Sequence, residues 1–293
     1  MITHDNYFNK TRIAPTPSGF PHVGNALSFS ITAALARKAG AKILLRIDDI
    51  DQARANTQYV QDIFDTLNFL EIPWDEGPRN IKEFEESYSQ LHRLSLYDEA
   101  FERLRNSGAV YACTCSRSQL NNSVCNCKSN TTPGDADNVS WRLDTSGNRP
   151  LTIKIYNSEM ITATLPASMD NFVVKRRDGL PAYQLTSVID DLFYGVDLVI
   201  RGEDLWPSTF AQHQLALQLN ESKFADIAFY HHPLLMEAPG KKLSKSAGSA
   251  SIKYLRGQGK KPDDVFTLIG GMIGIDEPVK NWEQLAERII RFV

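Results

Sequence analysis

Long apolar runs are missing from this 293-residue chain. None approaches the roughly 18 residues a membrane-spanning helix needs, so no membrane span is expected. The first residues, Met1-Ile2-Thr3-His4-Asp5, lack the basic region and apolar stretch of a secretory leader, and a cytoplasmic location is expected. Excess positive charge is missing too. Lys and Arg number 32 against 35 Asp and Glu, a net charge of −3, which excludes a protein that coats nucleic acid with most of its surface. A nucleic-acid-binding enzyme of this balance has to gather its basic residues on one face. An acidic protein acting only on small molecules fits the composition equally well. Cysteine is scarce, with four residues confined between Cys113 and Cys127, and no internal repeat is visible. What is present is a 42% hydrophobic content, enough to bury one large core or two modest ones.

The patterning predicts an α/β chain. Residues 11–15 read as a strand, 26–39 as an Ala-rich helix stopped by Gly40, and 42–48 as a second strand, a βαβ unit with a right-handed crossover. Val60, Ile63, Phe64, Leu67 and Leu70 recur at helical spacing, which predicts an amphipathic helix over 57–70 whose apolar face is core. A further helix is predicted over 87–106. The chain then changes character. Residues 109–170 hold all the cysteines, a polar loop at 128–138 and strand-like runs at 151–156 and 161–165. Strands at 172–175, 196–201 and 228–235 and a helix at 207–219 resume the first pattern, and Pro262–Gly271 and Asn281–Arg291 read as terminal helices. The expected organisation is a doubly wound parallel sheet in two halves, 1–108 and 171–246. A subdomain at 109–170 interrupts it, and a short helical region at 247–293 follows.

Two distant segments carry the chemistry. Thr11–Gly19 reads as a strand running into a Pro/Gly loop, followed by Pro21-His22-Val23-Gly24-Asn25 and a helix. A tight turn at a helix N-terminus suits phosphate, because free backbone N–H groups and the helix dipole both face the anion. Lys242-Leu243-Ser244-Lys245-Ser246 is a compact loop able to bring positive charge to the same phosphates. In a doubly wound sheet, ligands sit beyond the carboxyl ends of the strands. Arg12–Ser18, Asp48, Arg201 and Leu234–Ser246 all fall at or just after predicted strand ends.

Together the two segments resemble the H-I-G-H and K-M-S-K-S motifs of the class I aminoacyl-tRNA synthetases, with Asn25 and Leu243 as departures. Arg12–Gly19, Leu45–Asp51 and Arg201-Gly202-Glu203-Asp204 resemble motifs of the glutamyl branch, and the resemblance runs from about Arg12 to Ser246. It implies a Rossmann-like catalytic domain that activates L-glutamate with ATP and Mg²⁺ and acts on tRNA as a monomer. His22, Asn25, Lys242 and Lys245 match the catalytic positions. Arg12, Ala14, Thr16, Ser18, Asp48, Tyr183 and Arg201 match the glutamate pocket, and His22, Gly24, Asn25, Glu203, Leu234, Leu235 and Lys245 the ATP site. The chemistry agrees. Two guanidinium groups suit two carboxylates, Asp48 suits an ammonium, and Tyr183 offers a hydroxyl. The branch usually has Glu where Asp48 stands. By itself His22 also reads as a loop-capping histidine, and Arg201 as a salt-bridge partner of Asp197 or Asp204.

Only residues 247–293 follow Ser246, too few for the anticodon-binding region of a full glutamyl-tRNA synthetase. That pattern resembles the stand-alone members of the branch that attach glutamate to the queuosine base of aspartate tRNA. Two alternatives stay open: a shortened glutamyl-tRNA synthetase, favoured by Asp75-Glu76-Gly77-Pro78, and a non-catalytic amino-acid-sensing paralog. Cys113-Thr114-Cys115 and Cys125-Asn126-Cys127 form two close thiol pairs, which favour a structural Zn²⁺ over disulfides in a cytosolic protein. The branch has a Cys-x-Cys zinc pair at the matching place. Its stand-alone members usually add a Tyr and a third Cys, whereas this chain offers four sulfurs.

Overall fold

The computed structural model describes residues 7–116, 119, 125–129, 138–147, 149–238, 241–242 and 251–290. In chain order the elements are β1 (Lys10–Ile13), α1 (Val23–Ala39), β2 (Lys42–Leu45), α2 (Thr57–Phe69), α3 (Leu94–Asn106), β3 (Val110–Cys113), β4 (Ser140–Leu143), β5 (Leu151–Ile155), β6 (Ile161–Ala163) and β7 (Val173–Lys175). There follow α4 (Tyr183–Phe193), β8 (Leu198–Gly202), α5 (Trp206–Gln218), β9 (Ala228–His232), β10 (Met236–Ala238), β11 (Lys241–Lys242), α6 (Ile252–Gly257), α7 (Pro262–Met272) and α8 (Trp282–Ile290). The expected α/β class with a parallel sheet and a helical C-terminal region is what the chain adopts.

The chain divides into two compact units, one formed by Met1–His92, Val196–Asp204 and Phe229–Val293, the other by Arg93–Gly195 and Leu205–Ala228. These limits differ from the expected boundaries after residues 108, 170 and 246. One reason lies at Arg93, whose guanidinium grips the fully buried Asp190 through Nε (2.8 Å) and Nη2 (3.1 Å). The Tyr97 hydroxyl donates to the same carboxylate at 2.6 Å. A buried pair of this kind cannot be separated cheaply, so α3 belongs with α4 rather than with the preceding strands.

In the first unit, β1 and β2 pair in parallel, with Lys10 opposite Lys42 and Ile13 opposite Leu45. On its other side β1 meets β8: the Asp197 N–H donates to Lys10 O at 3.0 Å, and the Asp197 carboxylate accepts from the amides of Asn9 and Lys10. Strand β8 is flanked in turn by β9. The first strand therefore has neighbours on both sides, and the crevice beyond its carboxyl end is where such sheets bind ligands. The segment after α2 adds an edge to β2, with Leu45 N–H donating to Glu76 O at 2.9 Å. Gly77 has φ +99°, and a Cβ there would lie 2.2 Å from Leu45 O. The Asp-Glu-Gly-Pro stretch is thus a structural edge in this chain.

Helix α1 begins three residues earlier than its apolar pattern predicts, because His22 caps it. The predicted helix over 87–106 is broken. A π-helical turn Phe84–Tyr88 and a 3-10 turn Gln90–Arg93 precede α3, with Ser89 extended between them. Asp49 causes the break, accepting from Ser89 Oγ (2.5 Å) and Gln90 N (2.7 Å), while Gln90 Oε1 accepts from Ile50 N (2.8 Å). Those bonds require extended backbone at Ser89. Helix α6 lies outside the predicted elements.

In the second unit, β3, β4 and β7 form an antiparallel sheet, and β5 and β6 a hairpin. Helices α4 and α5 pack together, tied by Gln184 Nε2 to Ser208 Oγ at 3.1 Å. No helix of the described residues is long and apolar enough to cross a membrane.

Candidate active site and thiol cluster

The first unit gathers nearly all the predicted nucleotide and amino-acid residues. His22 stands at the N-cap of α1 with extended backbone (φ −109°, ψ 174°). Its Nδ1 accepts from the Gly24 N–H at 3.0 Å, and its own N–H donates to Asn25 Oδ1 at 3.0 Å. The capping reading of His22 is what the geometry shows, and because Nδ1 accepts, a neutral ring carries its proton on Nε2. Asn25 likewise spends its oxygen on the cap and presents its amide NH₂ as donor. A Cβ at residue 24 would lie 2.9 Å from His22 Cε1, so a larger residue there displaces the ring.

Ser251 and Ile252, a few residues after the second motif in sequence, meet the first motif. Ser251 bridges His22 in antiparallel fashion, and Ile252 N–H donates to Pro21 O at 2.8 Å. Ser251 also caps α6 through its hydroxyl, and Arg256 of α6 is ion-paired to the buried Asp62 of α2. Lys242 ends β11, opposite Met236 in a small hairpin. Leu243, Ser244, Lys245 and Ser246 lie outside the described residues. Glu203 Oε1 accepts from the Leu234 N–H at 3.3 Å, and Leu235 is buried beside them in sequence.

Arg12 and Arg201 are both buried at strand ends. Arg12 Nη1 donates to Ile200 O at 3.2 Å, and Arg201 Nε donates to His231 Nε2 at 3.4 Å, its guanidinium lying 5.2 Å from the Phe229 ring centre. Asp197, one predicted partner of Arg201, is taken by Asn9 and Lys10. Burial, and then the charges of Arg201, His232 and Arg12, push the His231 pKa down to about 3. A neutral imidazole can accept from Arg201 where a protonated one could not. Ala14, Thr16 and Ser18 line the irregular segment after β1, with Thr16 and Ser18 exposed.

Asp48 is in the same unit but already engaged. Arg46 holds it with two parallel bonds, Nε to Oδ1 at 2.7 Å and Nη2 to Oδ2 at 3.0 Å, and both residues are buried. Arg46 was not among the predicted site residues. It stands two positions before Asp48 on extended chain, the spacing that puts two side chains on one face. His231 was also missed, and no sequence signal marks it, because it reaches Arg201 only through the pairing of β8 with β9. Tyr183 opens α4 in the second unit, 39% exposed.

The four cysteines of the second unit converge. Their sulfurs all lie within 4.8 Å of one another, with Sγ–Sγ distances of 3.7 Å (Cys113–Cys125), 3.8 Å (Cys115–Cys125) and 3.5 Å (Cys115–Cys127). Four thiolates about 2.3 Å from a tetrahedral zinc stand about 3.8 Å apart, so the donor set fits Zn²⁺. Bonding to Cys127, then burial, pushes the Cys115 thiol up to about 12, and burial raises that of Cys125. Crowded thiols resist ionising unless a cation joins them.

Residues 9–145 and 151–286 match the family model described as tRNA synthetases class I (E and Q), catalytic domain. The chain belongs to this class I synthetase family. It is similar to a glutamyl-Q tRNA(Asp) synthetase of Symbiobacterium thermophilum, 34% identical over 290 residues that cover 92% of this chain and 88% of the relative. It is also similar to a glutamate–tRNA ligase of Nitrosomonas europaea, 33% identical over 298 residues, 95% of this chain and 61% of the relative. The chain thus spans about three fifths of the length of that ligase. Among solved structures, a glutamate-tRNA synthetase of Elizabethkingia anophelis superposes with a TM-score of 0.74 at 20% identity, covering 95% of this chain and 65% of that one, which shows the shared fold. As a class I synthetase catalytic domain, this protein is a ligase-type enzyme that uses ATP.

Proposed function

We propose that this synthetase activates L-glutamate as glutamyl-adenylate and transfers the glutamyl group to the queuosine base of aspartate tRNA. The clustering of Arg12, Arg201 and His22–Asn25 within one unit supports the activation step. A carboxylate oxygen of glutamate attacks the α-phosphorus of ATP, forming one P–O bond as the bond to pyrophosphate breaks. The substrate is its own nucleophile, so the protein needs no base; it aligns two anions and neutralises charge. Arg12 and Arg201 hold the glutamate carboxylates in a field that already favours anions. Asp48, oriented by Arg46, takes the ammonium. His22 Nε2–H and the Asn25 amide donate to phosphate oxygens at the helix start, with Lys242 and Lys245 for the outer phosphates, whose charge Mg²⁺ would further offset. In the second step a queuosine hydroxyl displaces AMP from the glutamyl carbonyl. Cys113, Cys115, Cys125 and Cys127 would hold Zn²⁺, which would support the fold rather than the chemistry.

The similarity to the Symbiobacterium glutamyl-Q relative over most of both chains supports the choice of acceptor. A second reading, charging of the 3′ end of glutamate tRNA, is carried by relatives such as the Nitrosomonas ligase. An aspartate tRNA that carries queuosine but lacks its 3′-CCA separates the two. We expect it to accept glutamate. Failure on this substrate, with charging of intact glutamate tRNA, would establish the second reading instead. Pyrophosphate exchange with glutamate and ATP alone is expected, and Lys245→Ala should slow it roughly 10²–10³-fold, as for loss of one preorganised donor. An undiminished rate would remove Lys245 from the proposed machinery.

A further inference from the structure

The Cys-x-Cys loop that starts the thiol cluster is held from outside by one arginine. Arg177 Nη2 donates to Thr114 O at 2.6 Å and to Cys115 O at 2.7 Å. One group thus restrains two successive peptide planes, those that fix the direction of the Cys115 side chain. Arg177 is itself placed by a tight turn between β7 and α4. Arg176 N–H donates to Leu180 O (2.8 Å), Gly179 N–H to Arg176 O (3.1 Å), and Lys175 bridges Pro181. Gly179 provides the positive φ (+80°). Neighbouring cations are otherwise engaged: Arg176 pairs with Asp178 at 2.5 Å, and Lys128 with Asp144 at 2.7 Å.

We propose that Arg177 is a positioning residue for the metal centre, orienting the Cys-x-Cys loop for ligation and offsetting the charge of a four-thiolate site. The proposal rests on the four-sulfur reading of the cluster. Zn²⁺ with four thiolates carries a net charge of −2. A guanidinium one peptide away from two of the ligands reduces that excess while holding the loop in the geometry the ligands need. Such outer partners of metal sites act on affinity, typically by about 10–100-fold. The same turn runs on into Tyr183, so the clamp also joins the thiol cluster to the start of α4.

The test uses the full, zinc-loaded chain and follows metal transfer to a colorimetric chelator. Because Arg177 is exposed, its replacement removes no buried packing, and any fall in the thermal melt of the zinc-loaded protein should be no larger than the weaker metal binding accounts for. Arg177→Ala should release zinc roughly 10–100-fold faster. Arg177→Lys keeps the charge without the two-carbonyl clamp and should fall between, and Arg176→Ala should behave as wild type. Co²⁺ loading provides a second readout, in which Arg177→Ala should weaken Co²⁺ affinity while the sulfur-to-cobalt bands keep their tetrahedral form. Wild-type release from Arg177→Ala would overturn the proposal, as would equal acceleration in Arg176→Ala. If the wild-type chain takes up neither zinc nor cobalt, the four-sulfur reading fails and the proposal falls with it, while unchanged release from a loaded mutant refutes the clamp alone.

Discussion

Gly24 shows how closely activity and stability can separate at one position. The His22 ring folds back over the first turn of α1 because nothing projects from residue 24. Gly24→Ala should favour the helix by up to about 1 kcal/mol, since alanine is the better helix former. The same methyl displaces the imidazole and breaks its bond to the Gly24 N–H. Loss of that cap costs about as much as the alanine gains, so we expect a melting temperature close to wild type with pyrophosphate exchange reduced at least tenfold; equal exchange rates would show that the ring position is not used. His231 gives a pH prediction. Its folded pKa, near 3, is below the ordinary value of 6.5, and that of His232 is lowered too, by burial first. The unfolded chain therefore binds protons that the native one refuses, so this contribution to stability is present above pH 6.5 and is lost as the pH falls towards 3. Denaturant titrations between pH 7 and 4.5 should show falling stability, with a shallower slope in His231→Gln. An identical slope would mean that His231 is protonated in the native state as readily as in the unfolded one.

At the level of elements, periodicity located the helices that pack by one face. The predicted 57–70 became Thr57–Phe69, because an apolar stripe at 3.6-residue spacing has only one way to be buried, whereas Trp206–Gln218 is buried on almost every side from Ser208 to Ala216. Periodicity failed over 87–106, where a tertiary bond outweighed local preference. Asp49 lies forty residues from Ser89, and nothing local in either segment predicts their meeting. Asp49→Ala should orphan the buried Gln90 N–H and Ser89 hydroxyl and destabilise the first unit by about 2–4 kcal/mol, more than loss of a single neutral hydrogen bond. Asp49→Asn should recover part of that. Chemical denaturation checks both, and a loss below about 0.5 kcal/mol for the alanine variant would show that the break in the helix has another cause. Cys113→Ser acts on a different element. It should lower zinc content below one equivalent and raise amide exchange in β3, β4 and β7 while α1 and β2 keep their protection.

For the whole molecule, the division into two units separates two jobs. His22–Asn25 and the buried Arg12 and Arg201, the residues proposed for phosphate and glutamate, belong to one unit, and the thiol cluster belongs to the other. Stripping the metal with a chelator is therefore expected to leave most of the pyrophosphate exchange with glutamate and ATP. Transfer to tRNA should fall far more, because a metal held by the four thiols would order the cysteine-bearing segment rather than the residues proposed for phosphate. Parallel loss of both activities would mean that the thiol cluster supports the activation step as well.

Sequence by itself determined the α/β class, the family, the grouping of the four thiols and the glycine turn that opens α1. Each of these depends on short-range patterns: a strand followed by a glycine turn and a helix, or cysteines two apart. Tertiary structure alone decided that Arg46 engages Asp48, that His231 accepts from Arg201, that Ser251 and Ile252 anchor against Pro21 and His22, and that Arg177 clamps the cysteine loop. The unit boundary at Arg93 was decided in the same way. All but the first of these link residues tens or hundreds of positions apart, and Arg46 and Asp48 face each other only once the chain is extended. Hydrogen bonds and ion pairs are directional and work over a few ångströms, so which partners meet is settled only when strands pair and helices pack.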